Sequence, residues 1–214
     1  MEFRQVLQVV GDEPAFESGL LFAGAVDPAY LQRQLARWVR SGHLYQLRRG
    51  LYALAPPYQK TAAHPFLIAN RMVRGSYVSC QAALAHYSLI PEYVPTVTSI
   101  TTRRPATWST RLGRYEYHHV KTELFFGYAL VELADNQRAF VAQPEKALLD
   151  LIHLTPGSDT VVYLRELRLQ NLDQLNLQTL WRFAEQSGRP KLRRAADLIR
   201  EFAEQEADEF EIMA

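Results

Sequence analysis

The chain has 214 residues, of which 48% are hydrophobic, and its formal net charge is +1; this composition is typical of a globular protein with a sizeable core. The longest uncharged apolar run, residues 18–26, is too short to span a bilayer, and a single cysteine, Cys80, excludes an internal disulfide. The first residues lack the charged-then-apolar order of a signal peptide. We therefore expect a cytoplasmic protein with no membrane partner.

The charges are unevenly distributed along the chain. Residues 28–114 contain twelve basic residues and one acid, Glu92, whereas six of the 23 acids lie in the last 14 residues. A local positive field on a nearly neutral chain predicts that one region binds a polyanion. The alternative is that these arginines are solvated on ordinary helix faces.

Three helices are predicted in the first 40 residues. Apolar residues at amphipathic spacing predict a first helix over residues 2–10, and a second, short helix is predicted over 18–23. Asp27-Pro28 is a strong start for a third helix, because aspartate caps free backbone N–H groups and proline loses no hydrogen bond in the first turn. This helix is expected to end at Arg40.

The third helix has two distinct faces when it is plotted at 100° per residue. The apolar face consists of Leu31, Leu35, Trp38 and Val39. The opposite face carries Tyr30 and three arginines, with Gln32 and Gln34 on its flanks. From these we expect the following to bind DNA: Tyr30, Arg33, Gln34, Arg37 and Arg40. In a major groove, arginine bonds guanine edges or phosphates and glutamine bonds adenine. The pattern therefore predicts a recognition helix.

Two strand-like runs follow, over residues 44–47 and 51–54, and Arg48-Arg49-Gly50 separates them. Glycine permits the positive φ that a tight hairpin needs. Three helices followed by a hairpin, or wing, with arginines at its tip is the order of a winged helix-turn-helix. In that arrangement the third helix enters the major groove, and the wing contacts the backbone or the minor groove. We predict a DNA-binding domain of this type over residues 1–57, with Arg48 and Arg49 as wing contacts.

The rest of the chain, residues 61–214, is predicted to form an α+β domain. Helices are predicted over 64–74, 80–87, 144–154, 159–169, 177–186 and 190–206. Alternating β-branched residues predict strands over 97–102 and 114–120, which we expect to pair antiparallel. Further strands are predicted over 124–133 and 139–142. The expected architecture is a small antiparallel sheet with C-terminal helices.

Four arginines lie around the expected loop between the first two strands of this domain, with Trp108 among them. They are Arg103, Arg104, Arg111 and Arg114. A basic loop with an aromatic side chain can track a nucleic-acid backbone beside the winged helix, so these arginines are additional DNA-binding candidates. The alternative is a solvated hairpin tip with Trp108 covering the edge of the core.

Three segments of the sequence resemble one protein family. The first is Leu31-x3-Leu35-x3-Val39-x-Ser41-Gly42-x-Leu44-x4-Arg49-Gly50-x-Tyr52. The second is Tyr77-Val78-Ser79 followed by residues 81–91, and the third is Ala-Gln-Pro-Glu-Lys-Ala-Leu-Leu-Asp-Leu at residues 142–151. Together they resemble the AbiEi-type antitoxins of type IV toxin–antitoxin (abortive infection) systems, over residues 15–155.

The resemblance implies an N-terminal domain that binds double-stranded operator DNA and represses its own operon. It also implies a C-terminal domain that counters a nucleotidyltransferase-like toxin encoded alongside, without needing a stable complex with that toxin. Periodicity and charge support DNA binding only, so the antitoxin role is an expectation that the resemblance alone carries.

No catalytic or metal-binding pattern is evident, and we expect no enzyme activity and no cofactor. The six histidines lack the spacing of a zinc site, no phosphate-binding glycine loop occurs, and a nuclease would need an acid-x-Lys arrangement that the sequence lacks. Glu145 is expected at a helix N-terminus, where the helix dipole favours it. The alternative function is a winged-helix regulator whose α+β domain binds a small ligand or acts catalytically.

Overall fold

The computed structural model describes residues 1–22 and 27–213, with residues 205–213 described by their backbone alone. In these residues the chain forms eight α-helices and two β-sheets, one of three strands and one of six. The α+β class predicted from the sequence is therefore confirmed.

The N-terminal part combines two α-helices, a 3-10 helix and three short strands. In chain order they are α1 (Phe3–Val10), β1 (Phe16–Glu17), the 3-10 helix (Ser18–Phe22), α2 (Pro28–Arg40), β2 (Leu44–Arg48) and β3 (Leu51–Leu54). The short helix predicted over 18–23 is thus a 3-10 helix, and residue 23 lies outside the described residues. The three strands pair antiparallel in the order β1-β3-β2. With two residues, β1 is too short to show an alternating pattern in the sequence.

The start of α2 follows the prediction because Asp27 caps it. The Asp27 carboxylate accepts hydrogen bonds from the backbone N–H groups of Ala29, at 3.0 Å, and Tyr30, at 3.2 Å. These are two of the donors that the first turn of a helix leaves without a partner. The cap therefore fixes the position at which the basic helix begins.

Replacing Asp27 by alanine is expected to lower the free energy of unfolding by about 1 kcal/mol, because both N–H groups lose their acceptor. Urea unfolding followed by far-UV circular dichroism measures the change. Asp27→Ser keeps a capping oxygen and should retain most of the stability. Equal losses in the two variants would show that the cap does not contribute.

The β2–β3 hairpin turns at Gly50, whose φ is +81°, a backbone conformation that glycine adopts without a steric penalty. The Gly50 carbonyl accepts a hydrogen bond from the Ser18 N–H at 2.8 Å. The tip of the hairpin is therefore tied back to the end of β1.

The second sheet has six strands and mixed directions. Its strands are β4 (Ser76–Val78), β5 (Thr96–Thr101), β6 (Ala106–Thr110), β7 (Gly113–His119), β8 (Tyr128–Glu132) and β9 (Arg138–Ala142). The order across the sheet is β6-β7-β5-β4-β9-β8. The β5–β7 and β4–β9 pairs are parallel, and the remaining pairs are antiparallel. The prediction of a small antiparallel sheet is therefore wrong.

The error lies in the pairing of residues 97–102 with 114–120. These strands, β5 and β7, run parallel, from Thr96 opposite Arg114 to Thr101 opposite His119. The chain reverses twice between them, because residues read from the sequence as a loop form the additional strand β6. This strand lies on the outer side of β7 and pairs with it antiparallel.

Six helices complete the chain. They are α3 (Pro65–Met72), α4 (Cys80–His86), α5 (Pro144–Leu154), α6 (Val161–Glu166), α7 (Leu177–Gln186) and α8 (Pro190–Met213). The predicted bounds of α5 and α7 are confirmed. In the last helix Leu192, Ala195, Ala196 and Ile199 are buried and Phe202 is half-buried, so one apolar side of the helix packs against the core.

Two hydrophobic cores meet at the β2–β3 hairpin. Strand β3 is buried on both faces: Tyr52 and Leu54 belong to the core beneath α1 and α2, whereas Leu51 and Ala53 belong to the core of the second sheet. Burial of one leucine side chain stabilises a fold by about 1.5–3 kcal/mol. The N-terminal part is therefore attached to the second sheet through a packed apolar interface.

Candidate nucleic-acid interface

Helix α2 separates its residues by face as its sequence pattern predicts. Leu31, Leu35 and Trp38 are buried in the N-terminal core. On the other side Arg33, Arg37 and Arg40 are exposed, and Tyr30 is 40% exposed. The three arginines and the tyrosine therefore form one outward surface, which we call the α2 basic face.

The arginines of the α2 basic face also differ from most other arginines in their partners. In the described part of the chain, no carboxylate lies within ion-pair distance of Arg33, Arg37 or Arg40. Carboxylates do pair with the following: Arg48, Arg71, Arg74, Arg114, Arg138, Arg168, Arg193, Arg194 and Arg200. A face without acids keeps a positive potential that attracts a polyanion.

Gln34 does not point outward with the basic face. It is half-buried, and its Oε1 atom is buried with no hydrogen-bond partner among the described residues. The amide lies on the flank between the exposed and the buried sides of α2. A base contact by Gln34 would therefore require its side chain to change rotamer.

The two arginines at the hairpin tip have different surroundings. Arg49 is exposed, whereas the Arg48 guanidinium points toward the end of α3. It donates to the Arg71 carbonyl at 3.3 Å and pairs with the Glu17 carboxylate at 3.4 Å. Only Arg49 is therefore available to an external ligand in this conformation.

The four arginines predicted around one loop of the second domain fall into two separate groups. Arg111 and Arg114 lie at the β6–β7 turn, where Ser109 is opposite Arg114. Arg103 and Arg104 precede the other end of β6, which at five residues is about 17 Å long. The expectation of a single cluster is wrong, because the predicted loop is mostly a strand.

Trp108 does not belong to a loop either. It lies in β6, is half-buried, and packs edge-on against Tyr117 with 5.3 Å between the ring centroids. The indole therefore covers the edge of the core, which is the alternative that the sequence left open. The sequence does carry a signal for this strand, because Thr107, Trp108 and Thr110 are residue types enriched in β-strands.

A groove of about 570 Å³ connects the α2 basic face with the second domain. Its lining includes Arg40 and Gly42 at the end of α2, Tyr45 and Gln46 of β2, and Arg111 from the β6–β7 turn. Arg40 and Arg111 thus lie on the same groove although 71 residues separate them in the chain. The groove therefore brings one arginine of the α2 basic face and one arginine of the β6–β7 turn to the same opening.

A buried polar cluster lies beneath α5, and sequence reasoning missed it. Lys146 pairs with Asp150 one turn later in the helix, and each side chain is 3% exposed. Asp150 also accepts hydrogen bonds from the hydroxyls of Tyr77, at 3.0 Å, and Ser79, at 2.8 Å, and the Lys146 ammonium donates to the Tyr77 oxygen at 3.0 Å. The clue in the sequence is two opposite charges, four residues apart, inside a largely apolar helix.

Two further residues fit closely around this cluster. A Cβ atom on Gly127 would lie 3.0 Å from the Lys146 side chain and 3.0 Å from Phe183, so both side chains would have to shift, and the φ of +71° also favours glycine there. Glu145, expected at the helix N-terminus, is buried there and accepts a hydrogen bond from the Asn176 backbone at 2.8 Å. The start of α5 is therefore bonded to the start of α7.

This cluster is closed to ligands. The cavity beside Lys146 and Asp150 measures about 10 Å³, about the size of a single water site. Burial raises the pKa of the Tyr77 hydroxyl, and the nearby Asp150 carboxylate raises it further. Burial likewise raises the pKa of the Cys80 thiol, which makes that thiol a poor nucleophile. The arrangement stabilises the fold and offers no space for a substrate.

Among the side chains that the structure describes, in residues 1–22 and 27–204, no three His, Cys, Asp or Glu side chains come close enough together to hold a metal ion. Across residues 1–22 and 27–213, none of the helices has both the length and the apolar composition needed to cross a bilayer.

A scan against protein-family models finds none that fits this chain, and a search of the curated proteins finds none either.

Proposed function

We propose that the protein is a DNA-binding transcriptional repressor and the antitoxin of a type IV toxin–antitoxin system. In this proposal residues 1–57 form a winged helix-turn-helix that binds operator DNA and represses its own operon. The α+β region counters a nucleotidyltransferase-like toxin. The α2 basic face is the single observation that carries the DNA-binding half.

The geometry of α2 supports insertion into a major groove. Its arginines project from one side of a 13-residue helix, and arginine is the side chain that most often reads guanine there. The hairpin follows directly and presents Arg49 at its tip, in the position of a wing that contacts phosphates. Arg111, across the groove from Arg40, would extend the phosphate contacts beyond the helix.

The antitoxin half rests on the resemblance of the three segments. Two of these segments meet in the buried cluster, where Tyr77 and Ser79 from one bond to Asp150 from the other. Residues that bond to each other in a buried cluster determine the fold and do not indicate which reaction a protein performs. A likeness in these segments therefore supports a shared fold, and a neighbouring gene for a nucleotidyltransferase-like protein would support the shared activity.

The test of the DNA-binding half is a gel-shift titration of the full chain on the DNA upstream of its own gene. We expect a discrete complex that survives an excess of unrelated duplex and weakens as salt rises. Equal affinity for upstream and unrelated DNA would contradict the repressor assignment.

Arg48 and Arg49 provide a matched pair of variants. The two residues are adjacent, but Arg48 bonds to Glu17 and Arg71 whereas Arg49 is exposed. Arg49→Ala is expected to weaken binding to all duplexes alike and to reduce the slope of log K against log salt by about one, because one phosphate contact is lost. Arg48→Ala should leave that slope unchanged and lower the free energy of unfolding by about 1–2 kcal/mol, since it removes hydrogen bonds to Glu17 and Arg71. Salt-dependent titrations and urea unfolding of both variants measure the two effects. A change of slope in Arg48→Ala as large as in Arg49→Ala would contradict this separation.

The two proposed activities should be separable in the full chain. We expect the double variant Arg33→Ala/Arg37→Ala, expressed from an unrelated promoter, to relieve growth arrest by the toxin as well as the wild type does. The full chain is the suitable reagent, because truncation at residue 61 would expose the core positions that Leu47, Leu51 and Ala53 fill. Growth arrest that persists with wild-type protein would contradict the antitoxin role, and arrest that persists only with the variant would show that the two activities share a surface.

A further inference from the structure

A second cavity, of about 390 Å³, lies between the N-terminal sheet and the β8–β9 edge of the second sheet. Three arginines line it, Arg71 and Arg74 from the end of α3 and Arg138 from β9, and one acid, Glu17 of β1, faces them. This volume is within the range of small-molecule sites, about 300–1,000 Å³. The cavity lies apart from the α2 basic face and has no role in the function proposed above.

The wall of this cavity is held in place by Asn70. Its side-chain oxygen accepts a hydrogen bond from the Phe140 N–H at 2.5 Å, and its amide donates to the Ser76 carbonyl at 3.3 Å. These bonds fix α3 against β9 and β4. Arg71 and Arg74 are therefore kept at a set position relative to the strand that carries Arg138 and Phe140.

One side of the cavity is suited to an anion. The carboxylates that pair with its arginines belong to Glu13, Glu17 and Glu132, and all three are substantially exposed. The pairs of Arg74 and Arg138 are exposed on both sides and contribute only about 0–1 kcal/mol each, so an incoming anion can replace them at little cost. Arg71 is half-buried and also donates to the Ala15 carbonyl, which holds its guanidinium in place. Phosphate oxygens match the forked donors of a guanidinium and bond it in bidentate fashion.

The other side is apolar and open. Phe140 is 44% exposed and Leu130 is 52% exposed, and the two residues are opposite each other on neighbouring strands. Arg138 lies two residues before Phe140 and so projects from the same face of β9. An exposed aromatic ring beside arginines offers a surface on which a nucleobase can stack, worth about 1–3 kcal/mol per base.

We propose that this cavity binds a nucleoside phosphate. The phosphates contact Arg71, Arg74 and Arg138 and displace the Glu17 carboxylate, and the base lies against Phe140 and Leu130. Because Glu17 belongs to the N-terminal sheet and Arg74 to the second domain, the bound phosphate replaces one ion pair between them.

Isothermal titration calorimetry of the full chain tests the proposal, with inorganic pyrophosphate and each of the four ribonucleoside triphosphates as probes. At least one triphosphate should bind, and pyrophosphate should bind more weakly because it lacks a base. Arg74→Ala and Arg138→Ala should each weaken both kinds of probe about tenfold, since each removes a charge-assisted contact. Phe140→Ala should weaken the triphosphate and leave pyrophosphate unchanged. Arg182→Ala, an exposed arginine of α7, is the matched control and should change neither.

Three outcomes would overturn the proposal: no heat of binding with any probe, affinity unchanged by both Arg74→Ala and Arg138→Ala, or affinity lost in Arg33→Ala/Arg37→Ala. The last result would show that the phosphate binds to the α2 basic face and not in this cavity. Circular dichroism melts confirm that each variant is folded, which is expected because Arg74 and Arg138 are exposed. If the cavity does not bind a nucleoside phosphate, the gel-shift result is unaffected, so the two proposals are tested independently.

Discussion

Replacing Lys146 by methionine is expected to lower the free energy of unfolding by about 3–5 kcal/mol, because it leaves a carboxylate buried without its counter-charge. Asp150 is 3% exposed, so water cannot replace the lost ammonium. The Tyr77 hydroxyl would also lose the Lys146 donor that now bonds its oxygen. Urea unfolding followed by far-UV circular dichroism measures the loss.

A second substitution separates the effect of charge from that of packing. In Lys146→Met/Asp150→Asn the amide oxygen still accepts from Tyr77 and Ser79, and neither residue of the pair carries a charge. This double variant should therefore be more stable than Lys146→Met alone. Arg200→Met is the surface control, since Arg200 pairs with Asp197 in the exposed part of α8 and should cost about 0–1 kcal/mol. A loss in Lys146→Met no larger than in Arg200→Met would show that the pair is not buried in solution.

The second large effect is expected in DNA binding. Arg33→Ala and Arg37→Ala should each weaken operator binding by about 1–3 kcal/mol, through lost contacts to guanine edges or phosphates. Together they should cost about 2–6 kcal/mol if the two contacts are independent, which corresponds to about 30-fold to 10⁴-fold in affinity. Fluorescence anisotropy with labelled upstream DNA at fixed salt measures this change.

The control for the double variant removes the same charge from another surface. Arg165 and Arg182 are exposed on helices of the second domain, and Arg165→Ala/Arg182→Ala should bind the operator with nearly wild-type affinity. If both double variants weakened binding equally, the effect would reflect net charge alone. The recognition-helix assignment would then be wrong.

The sequence predicts those elements best whose boundaries are set by local chemistry. Asp27-Pro28 and Pro144 fix the starts of α2 and α5, because a cap or a first-turn proline acts on the adjacent backbone. The apolar spacing of α2 likewise predicts which of its sides is buried. Such features need no knowledge of distant parts of the chain.

The sequence predicts least well the features that depend on distant partners. The parallel pairing of β5 with β7 depends on where β6 lies, and a strand pattern alone does not specify its neighbours. The same reason applies to Arg48, which is indistinguishable from Arg49 in the sequence and yet bonds to Glu17 and Arg71. The Lys146–Asp150 pair is recognisable in the sequence because its two residues are one turn apart in a predicted helix. Its hydroxyl partners are Tyr77 of β4 and Ser79, which follows β4, and the sequence around the pair does not predict them.

Hydroxyl-radical footprinting of the full chain on its own upstream DNA tests the central claim most directly, namely that the α2 basic face contacts duplex DNA. We predict a discrete protected stretch that is present with wild-type protein and with Arg165→Ala/Arg182→Ala, and absent with Arg33→Ala/Arg37→Ala. Protection that is the same with all three proteins, or no protection with any of them, would contradict the account.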